Sequence, residues 1–389
     1  MSGADFHAGR KVGKYEILTL LSMGGMAELF LAYTAGPGGF RKFVALKQIL
    51  PDIKKDESFV KMFLDEARIT AAFSHSNIGQ VFDLGEEEGE LYLAMEFISG
   101  QNLEYLSKVC RKTQTPIPVG FSAMAVRDTC LGLHYAHHFV DPSGRPAPVI
   151  HRDVSPKNVM VTYDGNVKVI DFGIAKARGR LNRTQAGMVK GTSGYMSPEQ
   201  VRNEPLDERS DLFSAAVMLW ELVCGQRLFD GPSDAATMIA IVEKPIPDPR
   251  TINPEVPPAL AQVILKALSR DREDRYATGK ELARAIDAAM GPEIYDEDRA
   301  AAFMQRIFAE KVKKTRALLE MASRDDGELS RAAEGLRDEA EAASPSPKTR
   351  RPSTPGARTP PGRTPRAGAK PVRDSQRLPT RTPPSRTPG

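Results

Sequence analysis

Between residues 15 and about 97 the apolar positions come in short runs: "YEILTLL", "AELFLAY", "FVALKQIL", "IGQVFDLG" and "LYLAMEFI". Between them lie "SMGG", "AGPGG" and "GEEEGE". Apolar runs of this length, bounded by glycine or charge, predict strands joined by tight turns. One stretch breaks the rhythm: "SFVKMFLDEARITAAF" (58–73) sets Phe59, Phe63, Ala67 and Thr70 at helical spacing, predicting one amphipathic helix. From about residue 100 the period turns helical. "VGFSAMAVRDTCLGLHYAHHF" brings Val126, Cys130 and Leu133 to one face, and "LFSAAVMLWELV" (212–223) is apolar almost all round, as a centrally buried helix must be. "PPALAQVILKALSR" and "TGKELARAIDAAM" predict two more helices, and Gly291-Pro292 marks a break. Beyond it, 296–322 reads as an amphipathic helix, expected to pack on the helical part of the chain, with a dimer contact as the second possibility.

After Ser344 the composition changes. Twelve of the thirty prolines fall in the last 46 residues, where Val372 and Leu378 are the large aliphatics. Such a segment buries too little apolar surface to offset its ordering entropy and is expected to be disordered. It also holds eleven Lys/Arg against one acid, so the +4 total conceals a mildly acidic body, which argues against a dedicated nucleic-acid-binding domain. Three roles stay open for this tail: a solvated extension, a partner-docking or multiply phosphorylated segment at Thr354, Thr359, Thr364, Thr382 and Thr387, each followed by proline, or a contact to an anionic surface. A hydrophobic fraction of 41% supports a sizeable core. No apolar run approaches the roughly 18 residues of a membrane span. The N-terminus lacks a signal-peptide apolar segment, and Cys110, Cys130 and Cys224 are too widely spaced for a disulfide framework or a zinc site. A cytoplasmic location is expected.

The chemistry lies in "HRDVSPKNVM" (151–160) and "DFG" (171–173). They present two carboxylates and an amide, Asp153, Asp171 and Asn158, with no nucleophile paired to a base. That set suits phosphoryl transfer, whose transition state needs positioning and charge neutralisation more than covalent help. An Asp and an Asn can hold Mg²⁺ on nucleotide phosphates while a second Asp orients a hydroxyl and accepts its proton. The reaction then also requires a phosphate-covering loop, a lysine on a strand and an acid to hold that lysine. "SMGGMAEL", "VALK" and "FLDEARI" supply them upstream, in that order.

As an ordered set over about 15–289, these stretches resemble the eukaryotic-like Ser/Thr protein kinases of bacteria, the myxobacterial ones most of all. The resemblance implies an α+β, two-lobed fold: a small antiparallel β lobe with one helix (15–98), a larger helical lobe (99–289), and ATP between them. A lead (1–14), a helical appendage (290–343) and the tail (344–389) flank it. It implies transfer of the γ-phosphate of MgATP, with Mn²⁺ a possible substitute, to Ser or Thr of protein substrates. Asp153 matches the catalytic base and Lys157 the catalytic-loop lysine, while Asn158 and Asp171 match the metal ligands. The ATP site would comprise the loop Leu21, Ser22, Met23, Gly24, Gly25, Met26, Ala27, Glu28 and Leu29, then Ala45, Lys47, its partner Glu66, gatekeeper Met95, hinge residues Glu96 and Ile98, and Met160. Ser22, Ala27 and Leu29 depart from the family's G-x-G-x-x-G-x-V pattern, and small residues there still allow backbone amides to approach phosphates. Glu199 is expected to pair with Arg275, and Asp211 to anchor the catalytic loop. Arg152 beside Asp153 implies control by phosphorylation of the activation segment, at Thr184, by an upstream kinase or a second copy, with Thr192 structural. The rival reading is a pseudokinase scaffold; a nucleic-acid-associated regulator acting through the tail is a third. His134, His137 and His138 form an H-x-x-H-H cluster with no third ligand evident in sequence; His137 matches a structural histidine, and His151 is expected to pack.

Overall fold

Five strands and a short leading one build the small lobe, with a helix between the fourth and fifth strands of the six. β1 (Lys11–Val12), β2 (Tyr15–Met23), β3 (Ala27–Ala35), β4 (Arg41–Ile49), β5 (Val81–Glu87) and β6 (Glu90–Glu96) form one sheet in the order β1-β2-β3-β4-β6-β5. Every neighbouring pair is antiparallel. The computed structural model describes residues 9–24, 27–50, 57–172 and 193–324. Gly25, Met26, Thr184, Thr192 and the 344–389 tail therefore lie outside the described residues. The β5–β6 turn shows how local chemistry sets register: Glu88 (φ 50°) and Gly89 (φ 80°) both take left-handed backbone, the two-residue turn whose twist matches flanking strands.

The strand period of two gives the sheet two different faces. Phe30, Ala32, Val44, Leu46 and Ala94 share one face and pack with Tyr15, Ile17 and Tyr92. The other face carries Leu29, Lys47 and Leu93 in one row and Leu31, Ala45 and Met95 in the next. Helix α1 (Glu57–Thr70) closes part of this second face, with Phe63 and Ala67 buried against Ile49, Val81, Leu91 and Leu93. Of the predicted apolar stripe, Phe63, Ala67 and Thr70 are buried, and the Phe59 side chain lies outside the described residues.

The large lobe is organised about a helix that is buried along nearly its whole length. α5 (Glu208–Cys224) has an Asp207 N-cap and ends on Gly225 in left-handed conformation (φ 68°). Leu212 to Trp220 are each at most 4% exposed, which is why this helix reads as apolar on every side. α2 (Leu103–Lys112), α3 (Val119–His137), α4 (Pro198–Arg202), α6 (Asp234–Glu243), α7 (Pro258–Ala267) and α8 (Gly279–Met290) surround it. A small sheet, β7 (Gly100–Asn102), β8 (Val159–Thr162) and β9 (Val167–Val169), carries the "HRDVSPKNVM" segment beneath the small lobe.

Beyond residue 290 the structure departs from the sequence expectation. The stretch read as one helix on the large lobe is two: α9 (Glu297–Ile307) and α10 (Ala309–Arg324), separated at Phe308 (φ −116°). α9 does enter the large-lobe core through Ala300, Phe303 and Met304. α10 instead reaches the small lobe, where Leu318 and Ala322 are fully buried with Leu18, Leu31 and Tyr33, and Phe97 of the inter-lobe connection joins them. The Arg41 guanidinium hydrogen-bonds the Ala322 carbonyl. The cause is the one-turn spacing of Leu318 and Ala322, a stripe whose apolar partners stand on the exposed end of the sheet.

Candidate active site

The catalytic segment is held from below by one buried carboxylate. Asp211, in the first turn of α5, accepts the His151 amide on Oδ2 (2.7 Å) and the Arg152 amide on Oδ1 (2.8 Å). Its Oδ2 also lies 2.7 Å from His137 Nε2. Burial works to raise the Asp211 pKa, but these bonds and the nearby imidazoles outweigh it and hold the carboxyl below its ordinary range. The loop they hold is strained: Arg152 sits at φ 65°, a left-handed backbone that costs a non-glycine residue about 1–3 kcal/mol. From above, Gln200 of α4 donates to the Arg152 carbonyl (3.0 Å). His151 is fully buried, and burial lowers its pKa; its ring receives the Asp153 amide at Nδ1 (3.2 Å) and lies tilted against Phe172, ring centres 4.7 Å apart. This is a packing and orienting role.

Asp153, Asn158 and Lys157 form a compact cluster on that support. Asn158 Nδ2 donates to the Asp153 carbonyl (2.8 Å) and to Asp153 Oδ2 (3.2 Å), and Lys157 Nζ lies 3.5 Å from the same oxygen. The Asn158 carbonyl in turn accepts the Ile170 amide (2.9 Å), tying Asp171 to the group. Asp171 adopts φ 53° and receives Lys47 Nζ on Oδ1 at 2.9 Å. The Lys47 charge, stronger here than the opposing burial, holds the Asp171 carboxyl below its usual pKa. Lys47 thus reaches across from β4 to the large lobe. Glu66 lies on α1, and its side chain is outside the described residues.

The remaining positions named from sequence surround this cluster. Ser22 and Met23 end β2 opposite Leu29 and Glu28, and Gly24 closes the turn by donating to the Ala27 carbonyl (2.9 Å). A Cβ on Gly24 would come within 3.3 Å of that carbonyl, a tight approach that the loop would have to relax by a few tenths of an ångström. Leu21 is half-buried among Leu18, Leu31 and Phe97. Ala45 pairs with Met95 on the same face as Lys47. Glu96 binds Lys168 (3.0 Å), and its amide donates to the Gln80 carbonyl (2.8 Å). Ile98 lies against Gly79, and Met160 occupies β8 opposite Asn102.

Phe172 was not singled out from sequence, yet it joins the lobes. Its ring meets Phe73, just after α1, at 5.2 Å, and Phe73 continues to Phe139 at 4.9 Å. Gln200 was missed too, because a capping-box glutamine after Ser197 has no distinctive spacing. The Glu199–Arg275 pair is present, with Nη1 to Oε1 at 2.7 Å and Nη2 to Oε2 at 2.9 Å.

A family profile for the protein kinase domain matches residues 15–286. The chain belongs to the protein kinase family. It is 40% identical over 275 residues to the tyrosine-protein kinase MasK of Myxococcus xanthus, covering 71% of this chain and 43% of that protein. It is 36% identical over 276 residues to the serine/threonine-protein kinase PknB of Mycolicibacterium smegmatis, covering 69% and 42%. The crystal structure of the Mycobacterium tuberculosis PknI kinase domain aligns with a TM-score of 0.54 at 26% identity, over 72% of this chain and 98% of that one. The kinase therefore has the two-lobed family fold and resembles the eukaryotic-like bacterial members, while spanning little more than two fifths of each curated relative. No helix among its described residues is long and apolar enough to cross a membrane.

Proposed function

We propose that the kinase transfers the γ-phosphoryl group of ATP to Ser or Thr hydroxyls of protein substrates. The observation that carries this is the Lys47–Asp171 contact at 2.9 Å, which joins a strand cation to a large-lobe acid tied through Ile170 and Asn158 to Asp153. The donor set fits Mg²⁺. With Nδ2 turned to Asp153, Asn158 keeps Oδ1 for a cation, and Asp171 adds a carboxylate, both hard oxygen donors. When bound, Mg²⁺ supplies neutralisation of the charge that develops on the phosphate oxygens. Lys47 positions phosphates, Asp153 orients the acceptor hydroxyl and takes its proton, and Lys157 adds positive charge beside that carboxylate. The sheet face of Leu29, Ala45 and Met95, with Met160 from the large lobe, offers an apolar seat for adenine.

The Ser/Thr preference rests on Lys157 in "HRDVSPKN" and on relatives such as PknB. MasK is named a tyrosine kinase, so the acceptor needs direct measurement. Label from γ-labelled ATP on a generic basic protein, followed by phosphoamino-acid analysis, should give phosphoserine and phosphothreonine. Phosphotyrosine alone would refute the acceptor assignment, and absence of transfer would favour a nucleotide-binding scaffold.

Control by phosphorylation of the activation segment is supported by Arg152. Its guanidinium makes no hydrogen bond or ion pair with any described residue, and burial lowers its pKa. A half-buried cation next to Asp153 is a ready partner for a phosphate on Thr184.

A further inference from the structure

We propose that His134, His138 and Glu208 form a binding site for a transition metal of the zinc class, separate from the nucleotide cleft. The two histidines stand one turn apart at the end of α3, their ring centres 4.3 Å from each other. Glu208 comes from the first turn of α5. One ring nitrogen from each histidine and one Glu208 carboxylate oxygen lie within 4.8 Å of one another. Two imidazoles at this helical spacing plus a carboxylate from another element make a three-ligand zinc set, with a fourth position left for water.

A second observation points the same way. Among the described residues, four buried side-chain polar atoms have no hydrogen-bond partner, and three of them gather here: His134 Nδ1, His137 Nδ1 and Glu208 Oε2; the last two face each other at 3.6 Å, an ion-pair distance, which leaves His134 Nδ1 bare. Leaving the His134 atom bare costs about 1–3 kcal/mol, and a cation would satisfy it while sharing the Glu208 carboxylate, whose Oε2 already lies between the His137 and His138 rings. The end of α3 also carries the negative pole of its helix dipole, which favours positive charge. Tetrahedral ligands about 2.0–2.2 Å from zinc lie roughly 3.3–3.5 Å apart, so the donors must close by about 1 Å. The His138 side chain is 50% exposed, with Glu208 Oε2 4.0 Å from its Nδ1; that nitrogen also meets the His134 carbonyl at 3.1 Å, a contact that turning the ring toward a metal exchanges.

The position matters to catalysis through support, not contact with reactants. His137, between the two ligand histidines, holds Asp211, and Asp211 holds the amides of His151 and Arg152. A metal here would fasten the end of α3 to the start of α5 on either side of that bond.

The test is calorimetric titration of the untagged, chelator-treated full chain with Zn²⁺, in excess Mg²⁺ to occupy Asn158 and Asp171. One equivalent should bind. His138→Ala and Glu208→Gln should each weaken binding at least tenfold, and His75→Ala should leave it unchanged. Co²⁺ should give tetrahedral d–d absorption that the same two variants lose, with near-UV dichroism showing that they remain folded. No saturable one-to-one binding by the wild type, or equal affinity in both variants, would overturn the site.

Discussion

Replacing Arg275 should destabilise the large lobe more than almost any other single change. Its side chain is wholly buried, and all five N–H donors are engaged. Nε donates to the Ser269 carbonyl (2.7 Å), Nη1 to Glu199 Oε1 (2.7 Å) and the Arg209 carbonyl (3.0 Å), and Nη2 to Glu199 Oε2 (2.9 Å) and the Arg270 carbonyl (3.1 Å). Removing one member of a buried ion pair costs about 3–5 kcal/mol. The Glu199 carboxyl supports that scale. Burial pushes it up, but Arg275 and Ser210 more than compensate and lower it from 4.5 to about 2, a difference worth roughly 3 kcal/mol. Arg275→Met should therefore cost about 3–5 kcal/mol. Arg275→Lys keeps the charge but brings three donors to five acceptor contacts, and each acceptor left bare costs about 1–3 kcal/mol. The single tryptophan, Trp220, is buried in α5 and reports unfolding in urea. Because the folded Glu199 pKa is depressed, its contribution is present above about 4.5 and disappears as pH falls through about 2. That part of the acid dependence should vanish in Arg275→Met. A loss below about 1 kcal/mol in Arg275→Met would refute the reasoning, since no buried pair of this geometry is worth so little to break.

Asp153→Asn should lower phosphotransfer by about 10²–10⁴-fold while keeping the melting temperature and nucleotide affinity, because the amide is nearly isosteric and only proton acceptance is lost. Leu318→Ala should cost about 2–5 kcal/mol, seen as an earlier thermal transition of the small lobe. Removing 344–389 should leave the thermal transition of the body unchanged, and a fall of many degrees would show that the tail docks. Thr184→Ala should reduce transfer without changing ATP affinity, and in an Arg152→Gln background it should have little further effect; unmodified Thr184 in fully active protein, found by mass spectrometry, would refute this.

What could be seen in the sequence was whatever depends on local pattern. Phe63, Ala67 and Thr70 declared the buried side of α1 by spacing alone, and all three are under 9% exposed. The residues in "HRDVSPKN" and "DFG" stood out because that chemistry tolerates few substitutes at those places. Features that join distant segments were hidden. Glu208 lies 70 residues beyond His138 with no spacing to announce it, so the histidine cluster looked incomplete. Leu318 and Leu31 meet although far apart in sequence, and amphipathicity shows that a helix needs an apolar partner without saying which. The turn at Phe308 escaped for a related reason: "QRIFAEKV" holds neither glycine nor proline to mark a break, and packing decides there.

The course of α10 changes the mechanics of the cleft. The chain passes between the lobes near 97–99, and α10 makes a second connection that starts in the large-lobe core and ends under Leu18, Leu31 and Tyr33. Opening the cleft therefore shears Leu318 and Ala322 along the sheet or bends the chain at Phe308, and the resistance comes from residues beyond the matched segment 15–286. Residue 325 follows directly from a helix seated on the nucleotide-binding lobe. Tension or binding energy applied to the chain there has a lever on how wide the cleft stands, with no need to touch a single catalytic group.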